Sequence, residues 1–324
     1  MKEIELILET IQTLDPNESA VVATVIDVQG SAYRGAGAKM LIRGNGDAVG
    51  TVSGGCLEAD VLERAKRVSD SGRAQVFVYD TTKNEDSVFS LNMGCRGVIR
   101  ILFEPFDSKY FARLEAARND RRRFVSRVGV EGERLGRRDY SETPEDGSAS
   151  RLEGDCFIEI IEPPPALFIF GAGPDAIPVL SFAKTLGWRV LVIDHRAAYA
   201  TRERFPEADS VHYLKPEDYR GKLLLDQHSI AVVMTHNYEK DKLIQQFLLD
   251  SDAGYIGQLG PRKRTEKLLA EIGRQWPANL FGPVGLDIGS ETPEEIALAI
   301  TAEILAVLRE RDGGFLRTRA FGGN

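Results

Sequence analysis

Cysteine is scarce in this chain: three in 324 residues, too few and too scattered for a disulfide framework. Long apolar runs are missing as well. None approaches the roughly 20 residues that a membrane-crossing helix needs. The opening MKEIELILETIQTLDPNES carries acidic residues inside its apolar periodicity, so it reads as an amphipathic helix and not as a signal peptide. Its expected core face is Ile4, Leu6, Ile7 and Ile11. Positive charge is in deficit, and a formal net charge of -8 argues against a broad nucleic-acid footprint while leaving room for a local basic patch. No internal repeat stands out. What remains, 43% apolar and 28% charged residues, is an ordinary globular composition, long enough for two domains. A cytoplasmic protein with no membrane and no nucleic-acid partner is expected.

The pattern predicts an α/β protein: a carboxyl-terminal Rossmann-like parallel sheet preceded by a smaller α/β domain. In residues 1–105 the segments AVVATVIDVQG, KMLIR, AVGTV, AQVFVYD and CRGVIRILFEP read as strands. Leu57, Val61, Leu62, Ala65 and Val68 form one stripe of a helix. Residues 106–165 alternate charge runs with two candidate strands, FVSRVGV and CFIEII, and read as a charged connecting region with a hairpin. Pro163, Pro164 and Pro165 make a stiff boundary. From Ala166 onward strands and helices alternate: ALFIF, WRVLVID, SVHYL, IAVVMTH, AGYIGQLG and VGLDIG are the expected strands, with helices near 239–249 and 262–272. A last helix opens at Thr292 with a capping box to Glu295. Helices between strands at this spacing imply a doubly wound parallel sheet over 166–324.

In FIFGAGPDAIPVLSFAKTLGWRVLVIDHR, Gly171, Gly173 and Ala176 fall between a strand and a helix, and Asp194 ends the next strand. Gly171 permits a tight turn, Gly173 leaves room for a pyrophosphate, and Ala176 allows close helix packing. The helix start offers unpaired amides to an anion, and Asp194 can accept from a ribose hydroxyl. Asp175 places negative charge where phosphate would sit, so the pattern speaks more strongly for the fold than for bound NAD(P) or another nucleotide. His195, Arg196 and His236 fall at the strand-end rim of the same nucleotide-like cleft. Arg262, Lys263 and Arg264 begin a helix, where cations oppose the dipole and point to an anionic neighbour.

GTVSGGCLEADV raises a separate question, because Cys56 sits where a helix begins. Helix-start amides favour thiolate, and Gly54 and Gly55 clear space for a ligand. Cys95, in NMGCRGVIR, is also flanked by glycine, but its distance from Cys56 is not a zinc-ribbon spacing, and a resident metal site is not expected. Cys156, in CFIEII, reads as buried and structural.

VQGSAYRGAGAKMLI followed by GTVSGGCLEADV resembles the amino-terminal signature of the xanthine dehydrogenase accessory factor family, XdhC/CoxI. MGCRGVIRILFEP resembles its second signature, and FIFGAGPDAIPVLSFAKTLGWRVLVIDHR, MTHNYEKD, YIGQLGPRKR and GPVGLDIGSETPEEIALAITAEI match its second half. The resemblance implies a maturation factor, more an accessory protein than an enzyme. Its cargo would be molybdenum cofactor (molybdopterin), protected and handed to a molybdenum hydroxylase such as xanthine or carbon-monoxide dehydrogenase. A cysteine desulfurase-type sulfur donor and a homodimer are compatible with it. Carried over by position, the cofactor-binding candidates are Ser31, Arg34, Gly35, Gly37 and Lys39, then Ser53, Gly54, Gly55 and Cys56, then Cys95. Cys56 would either touch molybdenum transiently or guard its terminal sulfur. Tyr33 stands where a proline is common and is expected to matter little. Arg96 stands where a glycine is common, which leaves the role of Cys95 open. Soft thiolates suit a metal-sulfur centre, and amides with Arg34 or Lys39 suit a phosphate.

Two rivals remain at this point. The Gly171 turn and Asp194 would also serve an NAD(P)-dependent oxidoreductase, although no paired acid-base set accompanies them. A non-enzymatic adaptor with a degenerate Rossmann fold is the other.

Overall fold

The computed structural model describes residues 2–15, 18–80, 97–141, 147 and 149–318. The chain divides into two compact units, Met1–Pro163 and Pro164–Asn324.

The first unit is built on a five-stranded antiparallel sheet. Its strands are β1 (Ala20–Gly30), β2 (Lys39–Arg43), β3 (Ala48–Gly50), β4 (Gln75–Asp80) and β5 (Gly97–Pro105), in the order β3-β2-β1-β5-β4. Side chains alternate across a strand, and β1 uses both faces. Val21, Ala23 and Val25 pack with Val61, Ala65 and Val68 of α2 (Glu58–Ser71), while Ala20 and Val22 pack with α1 (Lys2–Gln12) and α3 (Ser108–Asn119). Each buried valine of this kind contributes about 1.5–3 kcal/mol, and each alanine about one methyl's worth, less than that. On α1 the buried pair is Ile4 and Ile7, with Leu8 and Ile11 packed beside them. Leu6, expected on the same face, is exposed. The spacing 4, 7, 8, 11 is the true helical stripe, and position 6 falls off it.

Residues 106–165 carry more regular structure than their charge runs imply. After α3 the strands β6 (Phe124–Gly129), β7 (Arg138–Tyr140), β8 (Arg151–Glu153) and β9 (Cys156–Ile161) form a four-stranded antiparallel sheet in the order β7-β6-β9-β8. Its Val128 and Phe157 pack against Ile26 and Leu102 of the larger sheet. The charges are accommodated because many pair with one another: Arg138 reaches Glu104 and Glu159, and Arg123 reaches Glu162.

The second unit is a parallel sheet of six strands with order β12-β11-β10-β13-β14-β15. These are β10 (Ala166–Phe170), β11 (Arg189–Asp194), β12 (Ser210–Tyr213), β13 (Ser229–Val233), β14 (Tyr255–Gln258) and β15 (Leu280–Phe281). Four helices connect or flank them: α4 (Ala176–Thr185), α5 (Tyr238–Leu249), α6 (Arg262–Ile272) and α7 (Pro293–Leu308). Strands β10 and β13 are buried at every position, as the apolar run of β10 and that of β13 after Ser229 require. Chain order reverses between them, which creates a switch point at their carboxyl ends. Residues 171–175 form the turn from β10 into α4, as expected. Thr292 and Glu295 complete the capping box of α7. The expected strand VGLDIG does not form. Gly285 and Gly289 adopt left-handed φ values of 112° and 73°, which break an extended run, and the sixth strand is Leu280–Phe281 instead.

Candidate functional site

In the first unit two loops meet. One follows β1 and carries Ser31, Arg34, Gly35 and Gly37; the other follows β3 and carries Ser53, Gly54, Gly55 and Cys56. Tyr33, expected to be incidental, joins them: its ring lies against Gly54, where a Cβ would stand 3.2 Å from Tyr33 Cγ. Glu3 on α1 makes a second link, because its carboxylate accepts from the Arg34 guanidinium and, at 2.9 Å, from the Thr51 amide. Arg34 is thus ion-paired within the protein, and an anionic ligand would compete with Glu3 for it.

Helix α2 begins at Glu58 with Leu57 as its N-cap residue, so Cys56 lies just before the helix and not in its first turn. The amides here are turned inward. Gly55 N and Leu57 N each donate to Ser53 Oγ at 3.2 Å, and Leu57 N also reaches Glu58 Oε2 at 3.1 Å. Ser53 Oγ donates to Glu58 Oε2 at 2.6 Å, and Thr51 Oγ1 to Glu58 Oε1 at 2.8 Å. Burial works to raise the Glu58 pKa, but hydrogen bonds from Ser53 and Thr51 outweigh it and hold the carboxyl below its ordinary value. The Cys56 thiol stands 3.7 Å from Ser53 Oγ, and Gly54, Gly55 and Cys56 are exposed. Gly55 has φ of 103° with open space where a side chain would be, so this bend requires glycine. Sequence reasoning missed Glu58 and Glu3. A Thr-x-Ser run ending five residues before a helix-opening glutamate was the available signal for the first; nothing local marked the second.

Lys39 leaves the candidate ligand set. Its side chain is buried, with Nζ 2.6 Å from Glu159 and 2.9 Å from Thr24 Oγ1. Glu159 also meets Arg138, Ser126 Oγ and Tyr110 Oη. Burial pushes the Glu159 pKa up, and the charges of Lys39 and Arg138 overcome it and hold the group ionised, below its ordinary value. Gly37 packs with its Cβ position 3.1 Å from Ser150 Oγ, whereas Gly35 faces open space. Cys95 and Arg96 lie outside the described residues. Cys156 opens β9, and burial raises its thiol above the ordinary value. Among the described residues no group of three or more His, Cys, Asp or Glu side chains is placed to hold a metal ion.

The second unit gathers Gly171, Gly173, Asp175, Asp194, His195, Arg196 and His236 at the carboxyl edge of β10, β11 and β13. A Cβ at Gly171 would collide with the Met234 carbonyl, so glycine here permits β10 and the end of β13 to approach. Ala176 is fully buried where α4 packs. Asp194 is committed inward: its carboxylate accepts from Ala172 N at 2.7 Å, from Arg196 N at 2.7 Å and from the Arg196 guanidinium at 2.7 and 3.0 Å. Burial works against its ionisation, and these donors hold it below the ordinary value. Burial lowers the His195 pKa, with Asp194 opposing. Arg196 stacks on the Tyr199 ring, 3.8 Å from its centroid. Arg262 and Arg264, expected near an anion, pair with Glu266 and with the buried Asp241.

Residues 13–80 match the XdhC and CoxI family, and residues 167–304 match the XdhC Rossmann domain. A probable xanthine dehydrogenase subunit of Bacillus subtilis (strain 168) is 34% identical over 317 aligned residues, covering 90% of this chain and 94% of its own. The molybdenum cofactor insertion chaperone PaoD of Escherichia coli (strain K12) is 24% identical over 304, covering 92% and 86%. The crystal structure of a xanthine dehydrogenase from Bacillus halodurans superposes with a TM-score of 0.84 at 33% identity, covering 96% of this chain and 97% of that one.

Proposed function

The chain belongs to the XdhC and CoxI family, and from that membership we propose that it is a maturation factor whose cargo is molybdenum cofactor. It binds the cofactor, shields it, and delivers it in the cytoplasm to a molybdenum hydroxylase of the xanthine or carbon-monoxide dehydrogenase type. The observation that carries the reading is the exposed Cys56 thiol on a glycine loop whose Gly54 meets Tyr33 of the neighbouring loop, the loop that also carries Arg34. A soft sulfur donor suits a metal held by sulfur, and a guanidinium suits the cofactor's phosphate once Glu3 yields it. The thiol is open, and among the described residues no His, Cys, Asp or Glu group is placed to close a cage around it, which fits a carrier that must release what it holds. A cysteine desulfurase-type donor would supply the terminal sulfur at this same open face, and a homodimer is compatible with it.

Support for an NAD(P)-dependent oxidoreductase is weaker, since Asp194 spends its oxygens on Ala172 and Arg196 and is 1% exposed.

The test is purification from cells that make molybdenum cofactor, followed by metal analysis and pterin fluorescence, and transfer to an apo-hydroxylase. Molybdenum and pterin in equal amounts, passed on with gain of hydroxylase activity, is the expected result. Protein that carries neither, from cells with active molybdenum enzymes, would overturn the reading.

A further inference from the structure

The glycine turn of the second unit is filled by the protein itself. In a dinucleotide-binding turn the second glycine leaves the backbone bare so that a pyrophosphate can approach it. Here the Asp175 carboxylate lies over Gly173: a Cβ built at Gly173 would collide with Asp175 Oδ1. That oxygen is buried and has no hydrogen-bond partner. The other, Oδ2, is 2.7 Å from His236 Nε2. His236 follows β13 with φ of 56°, a left-handed conformation that is uncommon for a residue with a side chain, and it brings the imidazole across to the turn. Asp175 caps no amide of α4 by hydrogen bonding, so it contributes its charge there and not a bond. Arg196 is close enough for its charge to interact with Asp175, yet its guanidinium is held by Asp194.

We propose that Asp175, latched by His236, is an internal anion that occupies the phosphate position of the Gly171–Gly173 turn and excludes dinucleotides and nucleoside diphosphates from this cleft. A diphosphate would have to displace a fixed negative charge, break the pair with His236, and expel the carboxylate from the volume that Gly173 vacates. The turn keeps the form of a nucleotide site and refuses the ligand. This contact is independent of the cargo reading, which concerns the first unit.

Calorimetric titration of the full chain with ADP, NADH and inorganic pyrophosphate tests it. Wild-type protein should show no saturable binding up to about 1 mM. Asp175→Ala should bind ADP or NADH at least about tenfold more tightly than wild type, a difference of about 1.4 kcal/mol. Asp175→Asn, which keeps the shape and removes the charge, should gain less. Should Asp175→Ala fail to fold, the near-isosteric Asp175→Asn decides. Wild-type binding as tight as the variants', or folded variants that remain silent, would overturn the plug. Molybdenum-cofactor retention measured on the same proteins should be unchanged in either case, which separates this failure from failure of the cargo reading.

Discussion

Two glycine turns in this chain read alike as sequence, each running from a strand through paired glycines to a helix with an acidic residue at its start. They differ in where that acid sends its carboxylate. Glu58, at the head of α2, folds back on Ser53, Thr51 and the Leu57 amide, which fixes the loop from behind and leaves Gly54, Gly55 and Cys56 facing solvent. Asp175, at the head of α4, lies over the glycine it accompanies and is pinned there by His236. One turn is braced and open; the other is closed by its own brace. Glycine content shows that backbone can be approached, and the nearest carboxylate decides whether anything approaches it.

Substitutions at four motif residues probe this difference, and Lys39 should give the largest effect. It belongs by sequence to the open loop and by structure to the core. Lys39→Met leaves Glu159 buried with Arg138 as its remaining cationic partner among the described residues, and losing half of a buried pair costs about 3–5 kcal/mol. Urea unfolding should show a collapse of the first unit's transition, whereas a surface phosphate ligand would leave it in place. The pH dependence has a definite sign. The folded Glu159 pKa lies below the unfolded value, so its contribution is full above the ordinary carboxylate range and is lost as pH falls through the depressed folded value. Next comes Asp194→Asn in the other turn. It removes an ion pair with Arg196 and turns an amide NH2 toward N–H donors on one side or the other, Ala172 N or Arg196 N, for an expected loss of about 2 kcal/mol in thermal or urea unfolding. Wild-type stability in that variant would mean Asp194 is spare for a ligand after all.

Much of this was legible in the sequence. The parallel sheet, the turn at 171–175 and the capping box at Thr292 follow from unbroken apolar runs, glycine placement and the Thr-Pro-Glu-Glu start. Those signals act over a few residues and are read without tertiary context. The pairings of Lys39 with Glu159 and of Glu3 with Arg34 join residues far apart in the chain, and no periodicity announces them. Residues 106–165 misled for a related reason: charge runs there look solvated, yet Arg138 and Glu159 neutralise each other inside a sheet. Asp175 was visible as a misplaced negative charge, but its pairing with His236, a residue in left-handed conformation 61 positions away, is not announced by either residue type.

The brace of the open turn should register more weakly. Glu58→Gln keeps the size and weakens hydrogen bonds from Ser53, Thr51 and Leu57, at an expected cost of about 1 kcal/mol. Because the carboxyl is held below its ordinary value, this contribution is present above the ordinary range and fades as pH falls through the lowered folded pKa. The gap between wild type and Glu58→Gln should therefore narrow in acid. Equal stabilities at neutral pH would show that Ser53 holds the loop without its carboxylate.

Cys56→Ser should have the smallest effect on stability and the most informative effect on cargo. The side chain is exposed and the hydroxyl can keep company with Ser53 Oγ, so unfolding should shift by no more than about 0.5 kcal/mol. Retention of molybdenum and pterin should nevertheless fall at least about tenfold, because oxygen is a poor replacement for a soft sulfur donor. The two readouts pull apart only if the thiol meets the cargo. A packing role would move stability and leave retention intact once the protein is folded. Iodoacetamide adds an independent measure: Cys56 should be alkylated before the partly buried Cys156, and prior loading with cofactor should protect it. If Cys56→Ser retains cofactor as wild type does, the thiol is not the contact, and the site reduces to the glycine backbone with Arg34 drawn away from Glu3.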